Sequence, residues 1–146
     1  MRLQSAIFYL EDTLLLDGEA GKSAEKVLSI LKMESVWMAA VTALPREEAE
    51  AALKARKLLD CFRLILPQEE ALCAIDSGEL LEKAMRRLKS QKRDTVVFCA
   101  TEKQIEAATG AGFRTVAIKT SANTAVWDTL KPRATEAIEG YEELLQ

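Results

Sequence analysis

Histidine is absent from this sequence. That removes Ser-His and Cys-His nucleophilic chemistry, and it removes the side chain zinc sites use most. Cysteine is scarce: Cys61, Cys73 and Cys99 are odd in number, widely spaced, and form no Cys-x-x-Cys unit. They read as reduced thiols in a cytoplasmic protein, with neither a disulfide framework nor a metal site. No apolar run approaches the about 20 residues needed to cross a bilayer. Met1 is followed by polar residues and then a strand-like stretch, so no leader peptide is expected. Positive charge is not in excess either. The formal net charge is -3, which gives no global field to hold nucleic-acid phosphates. Neither a nucleic acid nor a membrane is therefore expected as a partner.

What is present is an alternation. The 146 residues are 49% hydrophobic and 29% charged, which suits one globular domain spanning 1–146. Ile7-Phe8-Tyr9-Leu10 reads as a buried strand. Ser23 is placed to cap a helix with Ala24, Val27, Leu28 and Leu31 on its apolar face. Val36 to Thr42 is a second strand, and Pro45 opens a helix with Glu47 and Glu48 in its first turn. Phe62 to Leu66 is a third strand, ended by Pro67; Asp76 or Ser77 caps the helix that follows. Thr95 to Cys99 is a fourth strand, Thr101 caps the next helix, and Arg114 to Ile118 is a fifth strand. A helix-like stretch surrounds Trp127, Ala137-Ile138 forms a short last strand, and Tyr141 to Leu145 adds a final helical turn. Alternating strands and helices require parallel pairing with right-handed crossovers. The expected fold is a three-layer α/β, Rossmann-like parallel sheet with helices on both faces. The first strand should be central, between the second and the fourth. Ligands in such folds sit at the carboxyl ends of the strands, which directs attention to Tyr9–Thr13, Thr42–Pro45 and Cys99–Gln104.

The run Ala6-Ile7-Phe8-Tyr9-Leu10-Glu11-Asp12-Thr13-Leu14-Leu15 resembles the opening motif of the haloacid dehalogenase-like (HAD) hydrolases, apolar-F-D-x-D-G-T-L. Val41-Thr42-Ala43-Leu44-Pro45 resembles that family's second motif, a strand ending in Thr or Ser. Val96 to Ala108 resembles its fourth, V-x-F-G-D-S-x-x-D-I-x-A-A. Ala111-Gly112, then Arg114 to Ala117, and the tail from Ala134 to Leu145 are similar as well. The resemblance implies phosphoryl-transfer chemistry. One aspartate attacks phosphorus and a second, two residues on, acts as acid and base. Mg²⁺ is held by acids of the first and fourth motifs, and a threonine and a lysine hold the phosphoryl oxygens.

At those positions this chain departs from the pattern. The nucleophile position is Tyr9, a phenol that stays neutral at pH 7. The acid/base position is Glu11, and the usual glycine is Asp12. Thr13 and Thr42 match. The lysine position falls at Ile75, and the metal-binding acids become Ala100 and Gln104. No catalytic residue and no Mg²⁺ cofactor are therefore expected. Glu11, Thr13, Thr42 and Thr101 remain as ligand-binding candidates. Only Leu15 to Lys22 separates the first motif from the helix at Ser23, and the stretch from Leu66 to Asp76 is also short, so a core domain without a cap is expected.

Three functional readings compete. The leading one is a catalytically inactive HAD-like domain acting in binding, regulation or assembly, with a protein partner or self-association. The second is a phosphatase or hydrolase with residual activity through Glu11. The third, a receiver-like signalling domain, would need an aspartate at the end of the third strand, where Leu66-Pro67-Gln68 supplies none. Cys99, at a strand end before a helix, would be a nucleophile only with a base beside it. Lys83, Arg86, Arg87, Lys89, Lys92 and Arg93 could dock an acidic partner or simply complement a helix terminus. Trp127 is either an interface anchor or core.

Overall fold

The computed structural model describes residues 3–145; Met1, Arg2 and Gln146, with the reading that no leader precedes the first strand, lie outside the described residues. The order of elements is β1 (Ser5–Tyr9), α1 (Leu10–Thr13), α2 (Gly18–Met33), β2 (Trp37–Thr42), α3 (Arg46–Ala55), β3 (Leu64–Pro67), α4 (Gln68–Ala71), α5 (Gly78–Arg87), β4 (Thr95–Cys99), α6 (Glu102–Gly110), β5 (Arg114–Ile118), α7 (Trp127–Leu130) and β6 (Glu136–Ile138). A 3-10 turn, Tyr141–Leu145, follows β6. The sheet runs β3-β2-β1-β4-β5-β6, and every neighbouring pair is parallel. The first strand is indeed central, with Ile7 opposite Ala39 on one side and Val97 on the other.

Alternation along β1 divides the core into two layers. Ala6 and Phe8 face Val27 and Leu28 of α2 and Ala49 and Leu53 of α3. Ile7 and Tyr9 face Leu80, Leu81 and Ala84 of α5 and Ile105 and Ala108 of α6. Both faces of β1 are fully buried, which is why it reads as a continuous apolar run rather than an alternating one. Phe8 stacks on Phe98 with ring centroids 4.5 Å apart, and Phe98 in turn meets Tyr141 at 6.0 Å. That ladder ties the central strand to the final turn.

Three expectations need correction. Ser23 does not cap α2; it lies inside the helix, which begins at Gly18 after Asp17. Asp17-Gly18 makes the turn, with Gly18 at φ +62°. A Cβ at Gly21 would lie 2.5 Å from the Leu16 carbonyl oxygen, so glycine lets the first turn pack close to the preceding loop. Leu10 belongs to α1 rather than to the first strand, because the chain turns immediately after Tyr9. The third strand begins at Leu64, not Phe62, and includes Pro67, which sits on the edge strand β3 where no donor is needed on its free side. The stretch from Leu66 to Asp76 contains the short helix α4, which ends at Leu72 in a left-handed conformation. Ser77 is the cap of α5, its hydroxyl accepting from Glu79 N–H at 3.0 Å. Among the described residues no helix is long and apolar enough to cross a membrane.

Candidate functional site

The connection from β1 goes to β2 on one side of the sheet, and the chain later returns to β4 on the other. The carboxyl end of β1 is therefore a topological switch point. Tyr9, Glu11, Asp12, Thr42, Ala100 and Gln104 all lie around it, and hydrogen bonds join all of these but Tyr9 to another of the set.

Tyr9 is 1% exposed. Its side chain descends into the α5–α6 layer instead of rising toward solvent. Among the described residues its hydroxyl is the only buried side-chain polar atom without a hydrogen-bond partner. Burial pushes the phenol well above its ordinary value, and Cys99 and Asp76 act in the same direction. A neutral, sequestered phenol is neither a nucleophile nor a ligand for a hard cation.

Glu11 and Thr42 meet across the gap between β1 and β2. Thr42 Oγ1 donates to Glu11 Oε1 at 2.7 Å, and Ala43 N–H donates to Glu11 Oε2 at 2.9 Å. Leu44 N–H donates to Thr42 Oγ1 at 3.0 Å, which turns the hydroxyl proton toward the carboxylate. Thr42 itself is fully buried. The two carboxylate oxygens thus take one hydroxyl and one amide at the start of the loop leading to α3, on the positive side of that helix dipole.

A second network closes the space beside β4. Gln104 is 7% exposed, and a buried amide must find partners. Its Oε1 accepts from Ala100 N–H at 2.8 Å, and its Nε2 donates to Asp12 Oδ2 at 2.7 Å. Asn123, 5% exposed, donates from Nδ2 to the carbonyls of Ala100 (2.8 Å) and Ile118 (2.9 Å) and accepts from Thr120 N–H (2.8 Å). Both backbone groups of Ala100 are thereby engaged. Sequence reasoning missed Asn123. The signal was there in Thr120-Ser121-Ala122-Asn123, a polar run ending in a residue type that bonds nearby backbone.

The other candidates are dispersed. Thr13 is fully buried, and its hydroxyl donates to the Tyr9 carbonyl at 2.7 Å. Its own carbonyl accepts from Tyr141 Oη at 2.8 Å. Thr101 caps α6, its hydroxyl accepting from Gln104 N–H at 3.2 Å. Ile75 packs against the α5–α6 layer, and its N–H donates to Gln68 Oε1 at 2.8 Å. Lys83 is turned onto the Ala71 carbonyl at 2.7 Å, which satisfies the end of α4. Cys99 is fully buried, and burial pushes its thiol well up, away from thiolate reactivity. Arg86 and Lys92 both lie near Glu82, as a solvated helix end would have them. Trp127 is 4% exposed and belongs to the core. Arg46 makes a bidentate pair with Glu70, at 2.9 and 2.8 Å, and also donates to the Ile65 carbonyl. It clips α3 to α4 beside the site.

No curated protein matches the chain. Solved structures do. A dehalogenase is 21% identical with a TM-score of 0.72, covering 84% of this chain and 53% of its own. A β-phosphoglucomutase from Clostridium difficile is 15% identical with a TM-score of 0.68, covering 84% and 51%. A HAD-superfamily hydrolase from Ehrlichia chaffeensis is 15% identical with a TM-score of 0.68, covering 84% and 54%. At these identities the likeness is one of fold, and the chain spans about half the length of each of them. A family described as haloacid dehalogenase-like hydrolase matches residues 5–118, from the first residue of β1 to the last of β5. With its motifs brought to one switch point by a sheet of that architecture, the chain belongs to the haloacid dehalogenase-like hydrolase family.

Proposed function

We propose that this chain is a non-catalytic haloacid dehalogenase-like domain with a binding, regulatory or assembly role. The observation that carries the reading is Tyr9, which stands at the family's nucleophile position as a buried phenol whose acidity is suppressed. The family's Mg²⁺ does not fit the donors present. Ala100 offers a methyl group, and the amide of Gln104 is committed to Ala100 N–H and Asp12. Among the described residues no three carboxylates, thiols or imidazoles gather as a metal site would need. Ile75 carries no charge at the lysine position, and Lys83 is held at Ala71. Exposed apolar side chains, among them Met33 (84%) and Leu72 (88%), support a macromolecular partner or self-association. Three free thiols suit a reducing, cytoplasmic setting.

The test is turnover of a panel of phosphomonoesters by the purified chain, with Glu11→Ala as control. Background hydrolysis in both is the expected result. Robust wild-type turnover that vanishes in the Glu11 variant would establish the hydrolase reading in its place.

A further inference from the structure

The amino ends of β2 and β3 carry a cleft of about 300 Å³. Trp37 opens β2 and Thr42 closes it, so the cleft stands roughly 16 Å from the switch point, at about 3.3 Å per strand residue. Its floor is apolar: Val36, Met38 and Phe62 line it, and Met38 is fully buried. The end of α2 shapes one wall. Ser35 takes a left-handed conformation at φ +63°, and Val36 N–H donates to the Leu31 carbonyl at 2.9 Å, which turns the chain into β2 and leaves Lys32 on the cleft. On the other wall, Arg63 N–H donates to the Met38 carbonyl at 2.9 Å.

Arg63 differs from most arginines of the chain. Arg46, Arg56, Arg86 and Arg133 each have a carboxylate within ion-pair distance. Arg63 has none among the described residues, although the sequence carries 23 acids against 20 cationic side chains. Its guanidinium instead lies over the Trp37 ring, 4.4 Å from the centroid. The indole holds the group in place and leaves its N–H donors unused. Lys32, on the same cleft, also makes no ion pair among the described residues. Trp37 is 39% exposed, and Met33 protrudes from the neighbouring helix end. An exposed Trp beside an Arg is the pairing in which protein interfaces concentrate binding energy.

We infer that this cleft docks an acidic segment of a partner protein, with an apolar side chain on its floor and a flanking carboxylate on the Arg63 guanidinium. Charge complementarity selects that occupant. A carboxylate matches the fork of unused guanidinium donors, and Lys32 adds a second positive charge on the same cleft. Glu34, beside Met33 in sequence, and Asp60, on the cleft itself, break up the cations. The continuous positive track that a polyphosphate or an anionic lipid surface would need is therefore missing here. The inference goes beyond the non-catalytic reading, because the cleft sits at the opposite ends of the strands and its chemistry holds whether or not the switch point turns over a substrate.

The experiment titrates an acetylated, amidated peptide, Glu-Asp-Phe-Asp-Glu, into the protein at low ionic strength and follows tryptophan emission. Trp127 is buried in the core and gives a constant background, so the change reports Trp37. Wild type should saturate in the submillimolar range. The carboxamide peptide Gln-Asn-Phe-Asn-Gln and the glycine peptide Glu-Asp-Gly-Asp-Glu should each bind at least about fivefold more weakly. Arg63→Ala, read by calorimetry because it alters the indole's surroundings, should lose about fivefold, and Lys32→Ala about twofold. Arg63→Lys should recover only part of the loss, since it keeps the charge without the fork, and it serves if the alanine variant does not fold. Asp60→Asn should tighten binding by removing an opposing charge. The inference is overturned if wild type shows no saturable change, if the carboxamide peptide binds as tightly as the acidic one, or if folded Arg63 variants bind as wild type does. It is equally overturned if a single-stranded oligonucleotide or vesicles of anionic lipid bind more tightly than the acidic peptide. Phosphomonoester turnover reads the other ends of the strands, so either reading can fail while the other stands.

Discussion

The two buried tyrosines form a matched pair from which the cost of Tyr9's position can be measured. Both are almost fully buried, but Tyr141 Oη donates to the Thr13 carbonyl at 2.8 Å, whereas Tyr9 Oη has no hydrogen-bond partner among the described residues. Leaving a buried hydroxyl unsatisfied costs about 1–3 kcal/mol, while a satisfied one contributes about 1 kcal/mol net. Tyr9→Phe deletes only the orphan oxygen and keeps the ring, so it should stabilise the fold by about 1 kcal/mol or more. For a chain of this size that is a rise in Tm of about 3 °C. Tyr141→Phe should move the other way by about 1–2 kcal/mol, because it loses a bond and leaves the Thr13 carbonyl unpaired. Urea denaturation of both variants beside wild type reads the difference directly, provided the m-values agree. A Tyr9→Phe variant less stable than wild type by more than about 1 kcal/mol would refute the reasoning. It would mean that the phenol has a partner, such as an ordered water, and that the motif's first position is still a polar site.

Stability should also fall steeply in alkali. Tyr9, Tyr141 and Cys99 are all pushed up by burial from ordinary values of 10.0, 10.0 and 9.0. The folded state therefore keeps protons that the unfolded chain releases; the contribution is intact below about pH 9 and is lost as pH rises beyond it, at up to about 4 kcal/mol per pH unit once all three ionise in the unfolded state. Urea midpoints that stay level between about pH 8 and about pH 11 would contradict this. Gln104→Ala should destabilise by about 1–3 kcal/mol, because it strands Ala100 N–H and frees Asp12. A calorimetric melt that is unchanged would show that water replaces the amide without loss.

Much of the fold was legible because the strands carry it. Thr95 to Cys99 and Arg114 to Ile118 have the observed bounds, since both are short apolar runs cut off by polar residues. The start of α2 was not legible. Glu19 to Lys22 have no apolar periodicity, and the helix is held there by the close approach of Gly21 to Leu16 and by Arg56, which donates to that same carbonyl. Helix α4 was hidden for a similar reason: it is held by the Arg46–Glu70 pair, whose partners are 24 positions apart. At the site, the order of motifs indicated which positions to inspect, but not what the altered side chains do. Glu11 pairs with Thr42 31 positions away and Gln104 with Asp12 92 positions away. Such partners become neighbours only once the sheet has formed, and no local pattern encodes them.

The bond from Tyr141 to Thr13 has a kinetic consequence. It joins residues 128 positions apart. Closing a loop of that length in an unfolded chain costs about 4 kcal/mol in entropy, more than one hydrogen bond returns. The contact therefore cannot nucleate folding. It forms after β1 and β4 have paired and the Phe8–Phe98 stack has brought the final turn within reach. The turn that carries Glu11 and Asp12 is clamped at its far end by this late contact. The strand-end face is therefore among the last parts of the molecule to mature, and a chain synthesised only as far as β6 would have its sheet but not its finished rim.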